Sequence, residues 1–571
     1  MIFSAPGIAQ AAVLGVNVHA VQRYAPEEWS TLEAKLAETK VQWAREEFYW
    51  NRIEPATGTF VWTGYDDAVS MYQRSGTNVL GLLAYSATWA STHPNAVSND
   101  DRVFSVPDLA AWNTFVRAVV GRYKDTVHAW EIWNEPDAAH FLRPTAGSVA
   151  YLPMLKTAYV AIKEVDPTAI VVTGGTAGIN YAFVKNLYTL GGKGYFDAIG
   201  VHAYRTLGAD FRSAPETSRF GLHSVDVDLA ALNAVIAKYD LGRPVWITEF
   251  GWPTHTVGVT EAQQAAYLQR ETLLAMSQGV QRVFWYDFRN DGTDTGNQEQ
   301  NFGFYKRDWT AKPIVAAFRE LQDVIGEAVF TKWEPLFTTR IADMKTGTFK
   351  VEQWQQGALK RTTAATRMAT VPSPAGGQRM AMPYDFTKAK GSTFVQLTGA
   401  FPRTFSKQLG FWYLGDGSLQ DLRVRLVDNQ GETFQLTVGP VGVGWQRVIM
   451  DLRTPSQSMA SWGNAKNGRI DYPVRLQSIL VDASSNALTK RGSISVGPVF
   501  TLAQPYAYAL RFQTLSGSLW AAWAGSSGKA VTARAPVNRE MQLVQAGLSS
   551  TLQPAQGNVA LPLSERPLYL R

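Results

Sequence analysis

Eight short apolar segments recur through the first 330 residues, and they constrain the fold more than any other feature of the sequence. Each is rich in Val, Ile, Leu or Trp, as is typical of parallel strands that are buried on both faces. The segments are Val13–Val18, Val41–Arg45, Asn78–Ala84, Val127–Trp133, Ala169–Thr173, Ala198–Ala203, Pro244–Glu249 and Arg282–Asp287. Helical patterns lie between or after them, including Pro26–Thr39, Val106–Tyr123, Ala146–Val165, Thr260–Gln278 and Pro313–Ile325. Eight strand–helix units of this length predict a (β/α)8 barrel.

The structural rival is an open doubly wound sheet. Such a sheet normally carries a glycine-rich phosphate turn after its first strand. The segment Gly15-Val16-Asn17-Val18-His19 has no such turn, so the barrel is favoured.

The pattern changes after Gly326, where helical periodicity gives way to short alternating runs separated by Gly, Asp and Asn turns. This pattern of short alternating runs and turns predicts a jelly-roll-like β-sandwich. Thr362–Gly377 is interpreted as an exposed connection leading into the sandwich, and Tyr506–Leu570 as a separate small β unit. The predicted domains are therefore a barrel at 1–330, a carbohydrate-binding-like sandwich at 331–504 and a C-terminal β unit at 505–571.

Composition excludes several classes of function. The 54 basic and 48 acidic residues form no long like-charge run, so no nucleic-acid footprint is indicated. The chain has no Cys and no stretch of 18 apolar residues, so we expect neither thiolate chemistry nor a membrane span. Ala9-Gln10-Ala11 is similar to the cleavage site of a secretory signal, which favours an extracellular or periplasmic location although no basic n-region precedes it.

Polar side chains follow most of the predicted strands, where barrel enzymes place their active sites. Glu135 ends the fourth strand and Glu249 the seventh, on opposite sides of the barrel mouth. Two carboxyl groups that flank a glycosidic bond can protonate the leaving oxygen and meet the oxocarbenium-like carbon. The alternative is that either glutamate only pairs with an arginine in the rim.

Four segments carry a resemblance to a known family. Trp133-Asn134-Glu135-Pro136 and Thr248-Glu249-Phe250-Gly251 resemble the acid/base and nucleophile motifs of the retaining clan of barrel glycoside hydrolases. Trp50-Asn51-Arg52-Ile53-Glu54-Pro55 is similar to the segment after strand two of that clan, and His202-Ala203-Tyr204 to its strand-six motif. Together they most resemble glycoside hydrolase family 39 and its cellulase-like relatives, over about the first 330 residues.

The resemblance implies a role for each matching residue. Glu135 would be the acid/base, and Glu249 the nucleophile of a double displacement. Asn134 would hold the sugar 2-hydroxyl, and Tyr204 or His202 would orient Glu249. Arg45 is expected near Glu249, where it would lower the pKa of that carboxylate, unless it only forms a rim salt bridge. A retaining enzyme would hold the two carboxyl groups about 5–5.5 Å apart.

Five further residues are candidates for substrate binding. Trp89, Trp252 and Trp285 are placed for sugar stacking, with rim packing as the alternative for each, and His19 and Tyr85 are placed to contact hydroxyl groups. In the sandwich, alternation separates Phe411 and Tyr413 from Trp412, so one of these sets is expected to be exposed for sugar binding, unless the module is purely structural.

The sequence thus predicts a secreted retaining glycosidase that degrades β-linked glycosides or polysaccharides. No cofactor or metal is predicted, and no oligomeric state is indicated. The alternatives are a transglycosylase that uses the same intermediate and a non-catalytic carbohydrate-binding barrel.

Overall fold

The structure is a computed structural model of the 571-residue chain. It describes residues 12–571 except 94–97, 206–210, 217–222, 335–337, 345–347, 369–372, 375, 453–459, 465–466, 503–506, 526–530, 536 and 538–539. The segment Ala9-Gln10-Ala11, which is similar to a secretory cleavage site, lies outside the described residues.

Eight parallel strands form the predicted barrel. They are β1 Val13–Asn17, β2 Trp43–Tyr49, β3 Asn78–Ala84, β4 Ala129–Ile132, β5 Ile170–Thr173, β6 Ile199–His202, β7 Val245–Phe250 and β8 Arg282–Trp285. Their order is β5-β4-β3-β2-β1-β8-β7-β6, and parallel bridges Val172–Ala198 and Thr176–Val201 connect the two ends of the sheet. All eight predicted segments overlap these strands, which confirms the barrel.

Helices surround the strands. They are α1 Ala20–Arg23, α2 Trp29–Thr39, α3 Trp50–Ile53, α4 Thr63–Arg74, α5 Asn99–Val103, α6 Leu109–Tyr123, α7 Ser148–Val165, α8 Tyr181–Thr189, α9 Val225–Tyr239, α10 Glu261–Ser277 and α11 Pro313–Ile325. Helix α10 begins with a capping box, in which the Gln263 backbone N–H donates to the Thr260 hydroxyl and the Gln263 side chain accepts from the Thr260 N–H. None of the helices that the structure describes is long and apolar enough to cross a membrane.

The remaining strands are antiparallel. They are β9 Val329–Trp333, β10 Thr338–Ala342, β11 Phe349–Gln355, β12 Ala358–Ala364, β13 Thr366–Met368, β14 Arg379–Asp385, β15 Thr393–Gly399, β16 Arg403–Thr404, β17 Gln408–Asp416, β18 Asp421–Val427, β19 Glu432–Pro440, β20 Val443–Asp451, β21 Ala460–Gly463, β22 Val474–Asp482, β23 Arg491–Leu502, β24 Ala507–Thr514, β25 Gly517–Ala524, β26 Val531–Ala535, β27 Met541–Gln545, β28 Leu548–Leu552, β29 Val559–Leu563 and β30 Leu568–Leu570.

Two sheets form the sandwich, with strand orders β13-β14-β23-β17-β20 and β12-β11-β15-β22-β18-β19-β21. The C-terminal sheet has the order β28-β27-β30-β25-β24-β9. Because β9 directly follows the barrel and pairs with β24, the chain enters this sheet before the sandwich and returns to it afterwards.

The aromatic strand of the sandwich differs from the expectation. Phe411 and Tyr413 lie in the sandwich core, and Trp412 packs in the hydrophobic cluster that includes the barrel. All three side chains are buried, because β17 lies in the sheet that packs on the barrel. Neither set is therefore exposed for sugar stacking.

The stretch Thr362–Gly377 is not simply a connection. Its first residues complete the exposed strand β12, and β13 follows at once; residues 369–372 and 375 lie outside the described part. Strand β12 lies at the edge of its sheet and buries almost none of its side chains, so it lacks the apolar alternation that would have predicted it.

Candidate active site

A cavity of about 780 Å³ opens at the C-terminal ends of the barrel strands. This volume is in the range of small-molecule sites in proteins. Six of the predicted residues line its wall: His19, Tyr85, Asn134, Glu135, Tyr204 and Glu249. Arg45 and His202 are buried behind that wall, with 1% and 0% of their surface exposed.

Arg45, on β2, is the centre of the polar network beneath the cavity. Its Nε donates to Glu131 at 2.5 Å, and its Nη1 donates to Glu249 Oε1 at 2.6 Å. The same Nη1 donates to Asn17 at 2.9 Å, and Nη2 donates to Asn134 Oδ1 at 2.9 Å. A buried guanidinium is tolerated when its donors and charge are satisfied in this way. Arg45 therefore lies next to Glu249, as predicted, and it forms a second ion pair with Glu131.

Glu249 is held as a carboxylate by its neighbours. Its Oε2 accepts a hydrogen bond from the Tyr204 hydroxyl at 2.9 Å. Burial raises the pKa of the Glu249 carboxyl, but the charges of His202 and Arg45 and the Tyr204 hydrogen bond outweigh burial, so the pKa lies below its usual value. A carboxylate that is ionised and aimed by three partners is suited to act as a nucleophile.

His202 lies between the two glutamates. Its Nδ1 is 2.8 Å from Glu135 Oε1 and 3.5 Å from Glu249 Oε2. Burial lowers the pKa of the His202 imidazole, but the charge of Glu249 and the contact with Glu135 outweigh burial and raise the pKa above its usual value. Of the two residues expected to orient Glu249, Tyr204 makes the hydrogen bond, whereas His202 is closer to Glu135.

The backbone that presents Glu135 is unusual. Trp133 and Glu135 have φ angles of 70° and 42°, in the left-handed region that non-glycine residues seldom occupy. Such conformations cost on the order of 1–3 kcal/mol and cluster at functional sites. Beside them, a Cβ on Gly175 would lie 2.2 Å from His202 Nε2, so only glycine fits there. The Gly175 carbonyl accepts from the Glu135 N–H at 2.9 Å, which anchors the turn.

His19 and Glu47 form a buried pair in the cavity wall, with His19 Nδ1 3.1 Å from Glu47 Oε2. Burial raises the pKa of Glu47, but His19 and the nearby arginines outweigh burial and lower the pKa to about 2. Glu47 and Tyr49 were not predicted to contact substrate, yet both line the cavity. Alternation along β2 is the signal that finds them, because residues 45, 47 and 49 share one face of the strand.

The three tryptophans proposed for sugar stacking do not line this cavity. Trp252 and Trp285 are 1% and 0% exposed, and their indole N–H groups donate to the Ser213 and Phe302 carbonyls. Trp89 donates to the Glu54 carbonyl and packs edge-on against Trp50. Trp252 and Trp285 are enclosed within the protein, and Trp89 is half-buried with its N–H group already paired, so the structure favours rim packing for all three.

Among the described residues, no group of three or more His, Asp or Glu side chains is arranged to hold a metal ion.

Comparison with known proteins identifies the class of this barrel. Residues 96–363 match the family model described as glycosyl hydrolases family 39. The chain is a glycosidase. The match confirms the resemblance drawn from the motifs, and it includes Glu135 and Glu249. No curated protein sequence matches the chain.

Three solved structures are similar to this glycosidase. A family 39 glycoside hydrolase from Bacteroides cellulosilyticus WH2 superposes with a TM-score of 0.56 at 18% identity, covering 98% of this chain and 81% of that one. A GH39 enzyme from Xanthomonas axonopodis pv. citri gives 0.46 at 16% identity, covering 88% of this chain and 96% of that one. A monomeric beta-xylosidase from Caulobacter crescentus CB15 gives 0.46 at 15% identity, covering 87% and 97%. The superposition on the Bacteroides enzyme, at 18% identity, shows that the two chains share a fold.

Proposed function

We propose that this glycosidase cleaves β-linked glycosides with retention of configuration, using Glu249 as nucleophile and Glu135 as acid/base. The supporting observation is that both carboxylates contact the same His202 nitrogen, at 2.8 and 3.5 Å. The sum of these distances is an upper bound for the separation of the two oxygens. That bound applies to one oxygen of each carboxyl group, and it is shorter than the roughly 6.5–9.5 Å that separates the carboxyl groups of inverting enzymes.

In the first step, Glu249 attacks the anomeric carbon while protonated Glu135 gives its proton to the leaving oxygen, so the glycosidic bond breaks as the glycosyl–enzyme ester forms. In the second step, Glu135 takes a proton from water, and the resulting hydroxyl displaces Glu249. Arg45 and Tyr204 favour the ionised form of Glu249, which the first step requires and the second step regenerates.

Asn134 is proposed to bind the sugar 2-hydroxyl. Arg45 donates to its carbonyl oxygen, and this orients the side-chain amide so that its NH2 group is the available donor towards the cavity. Hydrogen bonds to the 2-hydroxyl strengthen in the transition state. His19 and Tyr85, which also line the wall, are proposed to contact other hydroxyl groups.

The decisive experiment compares Glu249→Gln and Glu135→Gln with the control Glu352→Gln, which replaces a carboxylate of the distant sandwich. A panel of 4-nitrophenyl glycosides identifies the sugar, and NMR follows the anomer that forms first. We expect a retained product from wild type, a loss of about a thousandfold or more in kcat for Glu249→Gln, and wild-type kinetics for Glu352→Gln.

Azide separates the two roles. It should rescue Glu249→Ala with an inverted glycosyl azide and Glu135→Ala with a retained one, because azide replaces the nucleophile in the first variant and attacks the intermediate in the second. An inverted product from wild type, or substantial activity in Glu249→Gln, would contradict the proposal.

We also propose that the enzyme acts outside the cytoplasm. The sequence Ala9-Gln10-Ala11, which is similar to the cleavage site of a secretory signal, supports this, and the absence of Cys is compatible with export. N-terminal sequencing of protein from the culture medium and periplasm tests it; a purely cytoplasmic protein that keeps Met1 would contradict it.

A further inference from the structure

The loop between β6 and α9 connects the candidate active site to both β modules. Three of its described residues line the cavity: Tyr204, Arg205 and Phe211. Phe211 packs edge-on against Phe302 on the same wall, with ring centroids 6.0 Å apart. The positions of these three residues therefore shape the cavity.

A residue from the C-terminal β unit holds the loop five positions after Phe211. The Trp523 indole N–H, on β25, donates to Glu216 Oε1 at 3.1 Å. Arg270 on α10 donates to the same oxygen. The Glu216 side chain is 1% exposed and Trp523 is fully buried, so this contact is shielded from water. A hydrogen bond to a charged, buried acceptor is stronger than an exposed neutral one.

The sandwich supports Trp523 from the other side. The Tyr508 ring stacks on Trp523 at 5.2 Å with an interplanar angle of 5°, and the Arg447 guanidinium lies 4.2 Å from the Tyr508 ring centroid. Arg447 belongs to β20 of the sandwich, and Tyr508 to β24 of the C-terminal unit. Both residues also line a small cavity of about 60 Å³ together with Glu216. The stack therefore holds the Trp523 ring against β24 and the sandwich.

We propose that Trp523 is a positioning residue for the substrate cavity, which it shapes by anchoring the β6–α9 loop through Glu216. The C-terminal β unit is then a working part of the glycosidase, and its contribution is to substrate binding through Arg205 and Phe211. This inference rests on the proposed function only in taking the cavity as the substrate site.

The test replaces Trp523 with Phe, which keeps the stacking ring and removes the N–H donor. The matched control is Trp520→Phe on the same strand, because Trp520 packs in the C-terminal unit's own core. The probe is the 4-nitrophenyl glycoside that wild type hydrolyses fastest. We expect KM to rise about tenfold, the size of one hydrogen bond to a charged group, with kcat nearly unchanged; the control should keep both constants.

A double-mutant cycle distinguishes positioning from general destabilisation. If Trp523 acts through the loop, Trp523→Phe should add little to the rise in KM caused by Phe211→Ala, whereas independent effects would multiply. Multiplying effects, or an unchanged KM in Trp523→Phe, would overturn the proposal. If Trp523→Phe does not fold, Glu216→Gln weakens the same hydrogen bond and should also raise KM; an unchanged KM there would be equally decisive.

The outcome separates this inference from the proposed function. Wild-type kcat and KM in Trp523→Phe leave the roles of Glu249 and Glu135 standing and overturn only the positioning role. Activity that survives in Glu249→Gln would instead overturn the proposed role of Glu249 and leave the positioning role of Trp523 standing.

Discussion

Two buried glutamates of this barrel have opposite acid–base behaviour. Glu249, at the barrel mouth, accepts from Arg45 and Tyr204, and its pKa is lowered. Glu271, on α10, has no hydrogen-bond partner for either oxygen among the described residues. Burial raises the pKa of Glu271 to about 8. The charge of Arg205 lowers this pKa, and the charge of Glu216 raises it further.

The comparison shows that burial alone does not decide the charge of a carboxyl group. Both residues are largely buried, and the hydrogen-bond donors and cations around each one decide the direction of the pKa shift. At the mouth, the surroundings favour the ionised form of Glu249. Below the β6–α9 loop, they keep an acid neutral at pH 7. Four substitutions test this contrast.

The largest effect is expected for Arg45→Met. This change leaves Glu131 and Glu249 buried without their cation, which typically costs about 3–5 kcal/mol of stability. We also expect kcat to fall by about a hundredfold or more, because the pKa of Glu249 rises. Urea unfolding and steady-state kinetics measure both effects, and a stable, fully active variant would refute the importance of the Arg45 network.

An effect of opposite sign on stability is expected for Glu271→Gln. The pKa of Glu271 is higher in the folded protein than in the unfolded chain, so the folded state binds more protons. Glu271 therefore lowers stability as the pH rises from about 4.5 to about 8. The variant should be more stable than wild type at pH 8 by about 4 kcal/mol, and equal to it near pH 4.

Urea unfolding of wild type and Glu271→Gln at several pH values measures the difference. The difference in unfolding free energy between the two proteins cancels the contribution of other buried acids. One of these is Glu46, whose pKa is raised to about 7 by burial. A difference that does not change with pH would show that Glu271 is ionised in the folded protein.

Tyr204→Phe should affect catalysis more than stability. The lost hydroxyl stabilises the ionised form of Glu249, so the pKa of Glu249 should rise and the acidic limb of kcat/KM should move to higher pH. We expect kcat to fall about tenfold at the pH optimum, the size of one charge-assisted hydrogen bond. An acidic limb that stays in place would show that Tyr204 does not tune Glu249.

The smallest effect is expected for Thr260→Ala. This change removes the exposed capping box of α10 and alters neither of the two buried carboxyl groups. Loss of an N-cap hydroxyl costs about 1 kcal/mol. Thermal unfolding should detect this change while kcat and KM stay at wild-type values. A change in KM would mean that α10 transmits strain to the cavity.

Much of the barrel was predictable because each strand is a local apolar run and each helix has a local period. Helix α11 was predicted with its observed bounds, Pro313–Ile325. The end of β12 and the whole of β13 were instead interpreted as part of the connection Thr362–Gly377. Edge strands such as β12 bury little, so their alternation is weak.

The sequence by itself determined the barrel, the antiparallel modules behind it, and the placement of Glu135 and Glu249 at strand ends, because periodicity and strand order are local properties of the chain. Only the tertiary structure decided that Trp252 and Trp285 pack inside, that Glu47 faces the cavity, and that Trp523 reaches the β6–α9 loop. These outcomes depend on which surfaces meet after folding. Contacts between residues some 300 positions apart, such as Trp523 and Glu216, leave no local signal.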